Sequence, residues 1–462
     1  YGATNRDYSA NFSEETKRQV LKDGKNVNFV SVNQIGYYPN LAKVAVLGDN
    51  KGDVLPNATN ITLSGTYKFD VCDAATGKAV WTGTSSAPQK DADSADSICK
   101  LDFSEFDTPG RYYIQIQGED WRSFEFNIGD NIYYDESHNI LTNAMNYFYQ
   151  NRSGIDIEDK YCTSGGSDGK GTGMGHKGGH KTDTASIQKI WKNEYASQEE
   201  ATGTYKSGTL TANGGWYDAG DHGKYVVNGG ISIWTLQNMY ERAILQEGYK
   251  GKFDDNSGTV VIPEAGNKVP DVLDEAAVEL DWIAQMKVVS SDTAWGQYDG
   301  LYYHKLHDHK WTGLATKPWD YETEWKTTRI VKPPTFAATL NYAACAGQAA
   351  RLWQDYNSSK AENYLTTAVD AFKAYEKHWY PYDSTPTTHP TLNCECAKEE
   401  IREDSLYAPM WQAKGGGPYG DNNVLDDAYW AACEIYLSAK AMGKDDIAAE
   451  FKKIIDESTY AY

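Results

Sequence analysis

The chain of 462 residues is 24% charged and 40% hydrophobic, and 44 Lys and Arg against 65 Asp and Glu leave a formal net charge of −21. That length suffices for two domains and a sizeable core, which excludes a chain disordered throughout. The acidic balance repels phosphate backbones and anionic lipid, no basic patch offsets it, and no run of about 18 apolar residues spans a bilayer, so neither nucleic acid nor a membrane is an expected partner.

Residues 1–26 read as a polar N-terminal extension, with a short helix over 13–22 capped by Ser13. From 27 to 130 the texture changes to short strands: NFVSVNQIGY, AKVAVLG, TYKFDVCDAATGKAVWTG, CKLDFSEF, GRYYIQI and SFEFNIG, separated by Asn, Asp and Gly. Such spacing predicts an all-β immunoglobulin-like sandwich. The acidic stretch DADSADS at 91–97 lacks the central Gly and distal Glu of a calcium-binding hand and reads as a solvated hairpin loop.

Beyond 131 the apolar period becomes 3.6, and residues 131–462 read as an all-α domain. Helices are predicted over 134–149, 228–246, 269–288, 335–353, 359–378, 426–441 and 445–456, with almost no strand signal between them. Seven Cys at irregular spacing oppose a disulfide framework, and Cys345 and Cys433 fall in helical patterns as buried free thiols. The Gly- and His-rich tract over 163–181 is a candidate lid or cleft wall.

The segment at 214–230, GGWYDAGDHGKYVVNGG, carries the most chemistry. Asp218 and Asp221 stand three apart around Ala219 and Gly220, a spacing that lets both carboxylates address one small volume in a turn. Two acids in one pocket can hold a water molecule and take its proton. An acidic turn that caps a helix would place Asp there as well. Trp216, Tyr217 and Tyr225 supply flat faces suited to pyranose rings, in a chain with 14 Trp and 34 Tyr.

These residues resemble the family 9 glycoside hydrolases, inverting cellulases built on an (α/α)6 barrel. VNQIGYYPNLAKVAVL resembles the start of the immunoglobulin-like module that precedes the barrel in one branch of that family. NRSGI, GGWYDAGDHGKYVVNGG, VPDVLDEAAVELDW, GLYYHKLHDHKWTG, PPTFAATLNYAACAGQAARLW and GGGPYGDNNVLDDAYWAACEIY follow in the family's order. NRSGI, HDHKWTG and GGGPY look closest to cellobiohydrolase-type members. The resemblance implies a secreted hydrolase that cuts β-1,4-glucosidic bonds in cellulose or cello-oligosaccharides with inversion, in endo or cellobiohydrolase fashion. It makes Asp221 the general base and Asp218 its partner on the nucleophilic water, and it sets His309 and Trp311 along the sugar subsites. Asn422, Asn423, Asp426 and Asp427 resemble a family calcium loop, although paired acids at a helix N-terminus also satisfy the dipole with no metal. No organic cofactor is implied.

Two departures accompany the resemblance. Members with the immunoglobulin-like module hold a structural zinc at four positions that here read Ser153, Gly179, His180 and Tyr217, so one ligand of four survives and zinc is not expected. His176, His180 and Cys162 lie in a Gly-rich tract that gives no preorganised substitute. The family's general acid, a Glu in a C-terminal segment of the type NEVAINYNA, has no counterpart, and Glu399, Glu400, Glu403, Glu434 and Glu457 do not stand in its context. Glu434 reads as an ordinary surface residue in mid-helix. Against the twelve helices of an (α/α)6 barrel the helical domain is expected to be incomplete, with the remainder of the polypeptide, and a dockerin for a cellulosome scaffold or a carbohydrate-binding module, lying beyond Tyr462. The competing readings are a non-catalytic glucan-binding protein and a hydrolase of xyloglucan, mixed-linkage glucan or glucosamine oligomers.

Overall fold

A computed structural model of the chain describes residues 26–52, 60–133, 139–166, 169–191, 199–313, 316–320, 328–382, 406–409, 415–421 and 423–461. The predicted helix over 13–22, Cys394, Cys396, Glu399, Glu400, Glu403 and Asn422 lie outside the described residues. The chain divides into two compact units, Tyr1–Ile140 and Leu141–Tyr462.

The first unit is a β-sandwich of nine strands: β1 (Asn26–Ser31), β2 (Val44–Gly48), β3 (Lys68–Asp73), β4 (Ala79–Thr84), β5 (Gln89–Lys90), β6 (Ser97–Asp102), β7 (Gly110–Ile116), β8 (Trp121–Ser123) and β9 (Phe126–Ile128). They run in the order β4-β3-β7-β8-β1-β2-β6-β5, with β9 also on β7. Alternation decides which face is inside. The antiparallel register of β3 on β7 sets Phe69 opposite Ile116 and Val71 opposite Ile114, all four fully buried. Each such side chain contributes about 1.5–3 kcal/mol by leaving water. The acidic stretch closes the β5–β6 hairpin, where Asp91 Oδ2 accepts from the Ser94 N–H at 2.9 Å and the Ser94 hydroxyl at 2.6 Å.

In the second unit the helices are α1 (Ile140–Gln150), α2 (Val226–Leu245), α3 (Asp271–Ala284), α4 (Phe336–Trp353), α5 (Ser358–Tyr382), α6 (Leu425–Ala441) and α7 (Asp445–Glu457). Sequence periodicity places these helices well, because each carries an apolar stripe long enough to read. Helix α4 is buried on nearly every side, and its Ala- and Gly-rich sequence lets neighbouring backbones come close. At Gly347 an added Cβ would stand 3.1 Å from the Ile435 side chain, and the Ser438 hydroxyl donates to the Gly347 carbonyl. Thr335 caps α4, accepting from the Ala338 N–H at 3.1 Å.

Two sequence expectations are corrected here. Glu434 is 7% exposed and not a surface residue, because it accepts from Trp234 Nε1 at 2.7 Å and pairs with Arg351 at 2.8 Å, joining α6 to α2 and α4. The helical unit also contains strands: β10 (Thr184–Gln188), β11 (Lys206–Thr211), β12 (Lys224–Tyr225), β13 (Tyr302–Tyr303), β14 (Lys305–Asp308), β15 (Arg329–Val331) and β16 (Pro334–Thr335). Five of them form a sheet in the order β11-β10-β15-β14-β12, and β13 pairs with β16. Strands of two to six residues are too short to show a period of two, and β14 and β15 are buried along their whole length. Cys72, Cys99, Cys162, Cys345 and Cys433 are free thiols. Among the described residues no helix is long and apolar enough to cross a membrane.

Candidate active site

The loop between β11 and β12 bears Asp218 and Asp221, and buried charges hold it from below. Asp183 is fully buried and receives Arg329 through two bonds of 2.9 Å and Lys224 at 2.9 Å. Burial alone would raise Asp183, but Arg329 and Lys224 outweigh it and hold the carboxyl far below the usual range. Lys224 Nζ also donates to the carbonyls of Ala212 at 2.9 Å and Gly214 at 2.8 Å, where the loop begins. Arg329 reaches the His222 carbonyl at 2.7 Å, where it ends, and Asp308 on β14 at 2.9 Å. Removing one partner from such a network leaves an uncompensated buried charge, which costs about 3–5 kcal/mol.

A second layer fixes the loop against α3. Glu279 Oε2 accepts the Trp216 backbone N–H at 2.6 Å, and Glu275 Oε1 accepts Trp216 Nε1 at 2.8 Å while pairing with Arg152 at 2.9 Å. Burial pushes the Glu279 carboxyl up to about 8, against the Trp216 N–H and the Lys224 charge. Gly215 has φ +77° and would bring a Cβ within 2.7 Å of the Trp282 ring, so a side chain is doubly excluded there.

Above this base the two carboxylates have different surroundings. Both oxygens of Asp218 are engaged: Asn228 Nδ2, in the first turn of α2, donates to Oδ1, and the Tyr419 hydroxyl donates to Oδ2 at 2.5 Å. Burial, with the Asp221 charge adding to it, raises the Asp218 pKa against those two donors. Asp221 Oδ2 accepts from the Tyr225 hydroxyl at 2.6 Å and the Gly223 N–H at 3.1 Å. Among the described residues no donor reaches Asp221 Oδ1. A Cβ on Gly223 would collide with the Tyr225 hydroxyl and the Asp221 carboxylate. Asp221 thus has one oxygen restrained and one open to a water molecule, and Asp218 is held in place beside it.

The structure gives the three flanking aromatics other positions than the sugar-facing ones expected of them. Trp216 is 6% exposed, Tyr217 7% and Tyr225 3%, so none offers an open face for stacking. Trp216 packs against Phe148, the Tyr217 hydroxyl and His180 Nδ1 are hydrogen-bonded at 2.7 Å, and Tyr225 points its hydroxyl at Asp221. His309 is buried, with Nδ1 accepting from the Thr328 N–H at 3.3 Å. Trp311 is 44% exposed. Exposed Trp319 stacks on His176 of the Gly- and His-rich tract at 4.7 Å.

Residues that sequence reasoning did not assign complete the site. Tyr419 and Asn228 fix Asp218, and Asp183, Lys224 and Arg329 carry the loop. The Gly run before Tyr419 is the available signal: a Cβ on Gly416 would stand 2.8 Å from the Tyr225 hydroxyl and from His307, so that segment must lie against the site.

At the expected calcium loop, Asp426 and Asp427 occupy the first turn of α6. Asp427 Oδ2 is buried with no hydrogen-bond partner, and burial with the Asp421 and Asp426 charges pushes its pKa up to about 8. An orphaned carboxylate oxygen among acids fits a hard cation. Asn423 is otherwise engaged, its amide donating to the Tyr460 hydroxyl at 2.6 Å. Among the described residues no three His, Cys, Asp or Glu side chains form a metal-holding group, so a cation there would need backbone carbonyls as well.

Comparison with known proteins identifies the family of the chain. Residues 138–460 match the model of glycosyl hydrolase family 9, and residues 25–120 match the cellulase N-terminal ig-like domain. A cellulose 1,4-β-cellobiosidase from Acetivibrio thermocellus is 36% identical over 90% of this chain and 41% of its own length. Endoglucanase C from Cellulomonas fimi is 35% identical over 91% of this chain and 32% of its own. A xyloglucan-specific endo-β-1,4-glucanase from Bacteroides ovatus is 31% identical over 88% of this chain and 57% of its own. The chain therefore spans a third to just over half the length of these relatives. A solved Bacteroides ovatus GH9 structure superposes with a TM-score of 0.62 at 27% identity, over 92% of this chain and 64% of that one. With a sandwich of the cellulase N-terminal type ahead of helices that share the (α/α)6 architecture of such structures, the chain belongs to glycosyl hydrolase family 9.

Proposed function

We propose that the protein hydrolyses β-1,4-glucosidic bonds of cellulose or cello-oligosaccharides with inversion at the anomeric carbon. The observation that carries this is the asymmetry of the dyad, in which Asp221 Oδ2 is tied to Tyr225 and Oδ1 is left open. Asp221 takes a proton from water through Oδ1, and Asp218 orients the same water. The water attacks from the face opposite the leaving group, and the acid that protonates the departing oxygen stands about 6.5–9.5 Å from the base. None of the described acids takes that part in this reading. Trp311 supplies an exposed ring for a sugar face, and an uncharged polymer suits a chain of net charge −21.

Replacing the base removes proton abstraction and spares binding. In the full-length enzyme, Asp221→Ala is expected to lower kcat on cellopentaose by about 10³–10⁴-fold with sugar affinity retained. Retention of more than a few per cent of reducing-sugar release would overturn the assignment. The Bacteroides ovatus relative favours a second substrate, xyloglucan, and parallel assays on both polymers decide between them. Because the substrate is a polymer, the site of action is placed outside the cell, and recovery of the enzyme from the cell pellet alone would contradict that.

The Asp427 region is proposed to hold calcium, with Asp426, Asp427 and Asn422 as side-chain candidates and Asn423 contributing through its backbone. Asp421 and Asp427, held by one cation, would link the start of α6 to the segment that carries Tyr419. Chelation is expected to lower the melting temperature of the wild type and leave Asp427→Asn unaffected; equal sensitivity of the two proteins would remove the site from consideration.

A further inference from the structure

Behind the dyad, Lys305 is fully buried on β14, directly across the antiparallel ladder from Tyr225. Its Nζ donates to the Gly417 carbonyl at 2.5 Å. The Gly417 N–H in turn donates to the Tyr225 hydroxyl oxygen at 3.0 Å, and the Tyr225 hydroxyl donates to Asp221 Oδ2 at 2.6 Å. Since Tyr225 Oη already accepts from Gly417, its single proton has one direction to go, toward Asp221. Gly417 is thus pinned on both sides, through its carbonyl by Lys305 and through its N–H by Tyr225. Next along the chain, the Pro418 carbonyl lies 3.3 Å from His304 Nε2, and Tyr419 reaches Asp218.

A buried ammonium is costly to keep, so its placement asks for a reason. Burial pushes the Lys305 pKa well down, with Lys332 adding to it and Asp221 opposing it, and its amine remains a donor to Gly417 in either form; His304 and His307 line the same strand. Lys332 is held to the Lys305 backbone by its own N–H at 3.0 Å. No path from Lys305 to a sugar is open, since its side chain is enclosed.

We propose that Lys305 is a positioning residue of the hydrolytic site: it pins Gly417 so that Tyr225 directs its proton to Asp221 Oδ2, which reserves Oδ1 for the nucleophilic water. This rests on the assignment of Asp221 as the base. Loss of the pin lets the Gly417 segment shift, frees the Tyr225 hydroxyl to rotate, and leaves both Asp221 oxygens competing for the same water.

The test is a double-mutant cycle in the full-length enzyme, read as kcat and KM on cellopentaose. Lys305→Met keeps the length of the side chain and removes the ammonium. It is expected to lower kcat by about 10–100-fold, as small displacements of catalytic groups do, with KM within about twofold. In a Tyr225→Phe background the same change should have no further effect on kcat, because Lys305 acts through the missing hydroxyl. An unchanged kcat in the wild-type background, or an equal loss in both backgrounds, overturns the proposal, since a lysine that only supports the fold would act independently of Tyr225. Should Lys305→Met fail to fold, Tyr225→Phe alone carries the test: a similar kcat loss at constant KM supports the relay, and wild-type kcat overturns it. Asp221→Ala is assayed alongside. An active Asp221→Ala overturns both assignments, whereas an inactive one beside a fully active Lys305→Met overturns this one alone.

Discussion

In the immunoglobulin-like unit the fully buried Lys43 serves the loop it sits in. Lys43, with no exposed surface, donates to the carbonyls of Pro39 at 2.6 Å and Leu41 at 2.9 Å, and the core of the same unit, with Phe29, Leu47, Phe69, Leu101 and Ile114, is apolar. In the helical unit the buried charges link segments far apart in sequence: Asp183 with Arg329, Arg152 with Glu275, Lys305 with Gly417. In each of these cases the buried charge is satisfied by a partner. They differ in what the satisfaction accomplishes. In the sandwich it closes a turn, and in the helical unit it fixes a loop bearing two carboxylates to within hydrogen-bond tolerance. Long-range buried polarity therefore marks where geometry matters to chemistry.

The sharpest way to break this comparison is to delete a charge from each unit. Arg329→Met leaves Asp183 with Lys224 as its remaining cationic partner, takes the guanidinium from Asp308, and is expected to destabilise the helical unit by about 3–5 kcal/mol, measured as the shift of its unfolding transition. A loss below about 1 kcal/mol would show that the network does not hold the loop. Next in size is a pH effect at Glu279. Its carboxyl is raised from the ordinary 4.5 to about 8 by burial, so between those values the folded state keeps a proton that the unfolded chain releases. Stability from this group is present at low pH and is lost as pH rises toward 8. Glu279→Gln retains an acceptor for the Trp216 N–H and should match the wild type only below about pH 4 and be the more stable protein at pH 9, by roughly 3–4 kcal/mol. Equal stability of the two proteins at pH 9 would show that Glu279 is ionised in the fold without penalty. Smallest is Lys43→Met in the sandwich, which leaves the buried Pro39 carbonyl and the more exposed Leu41 carbonyl without this donor and should cost about 1–2 kcal/mol. A loss as large as that of Arg329→Met would erase the distinction between the units.

How far the site could be read from sequence follows the range of the interactions. Asp218 and Asp221 were legible because three residues around a Gly suffice to bring two carboxylates together. The sandwich and the helices were legible because periods of two and 3.6 persist over their lengths. Tyr225 was read as a stacking ring, and its hydroxyl turned out to matter, since which end of a tyrosine is used depends on burial that no local pattern encodes. Glu434 was misjudged for the same reason: its side of α6 faces Arg351 and Trp234, residues remote in the chain. Tyr419 lies 201 positions from the carboxylate it fixes, and only the run of glycines before it hinted at a close approach. The short strands β12 and β14, which set Lys305 opposite Tyr225, are shorter than one readable period.

The central claim, that Asp221 is the base acting through its open oxygen, is tested most directly by chemical rescue. Asp221→Ala leaves room for a small anion where the carboxylate stood. With azide present, the variant is expected to recover cleavage of cello-oligosaccharides and to release an α-glycosyl azide, formed by attack from the face that the water would use. A variant that azide does not rescue, or one that is already active without it, would contradict the assignment.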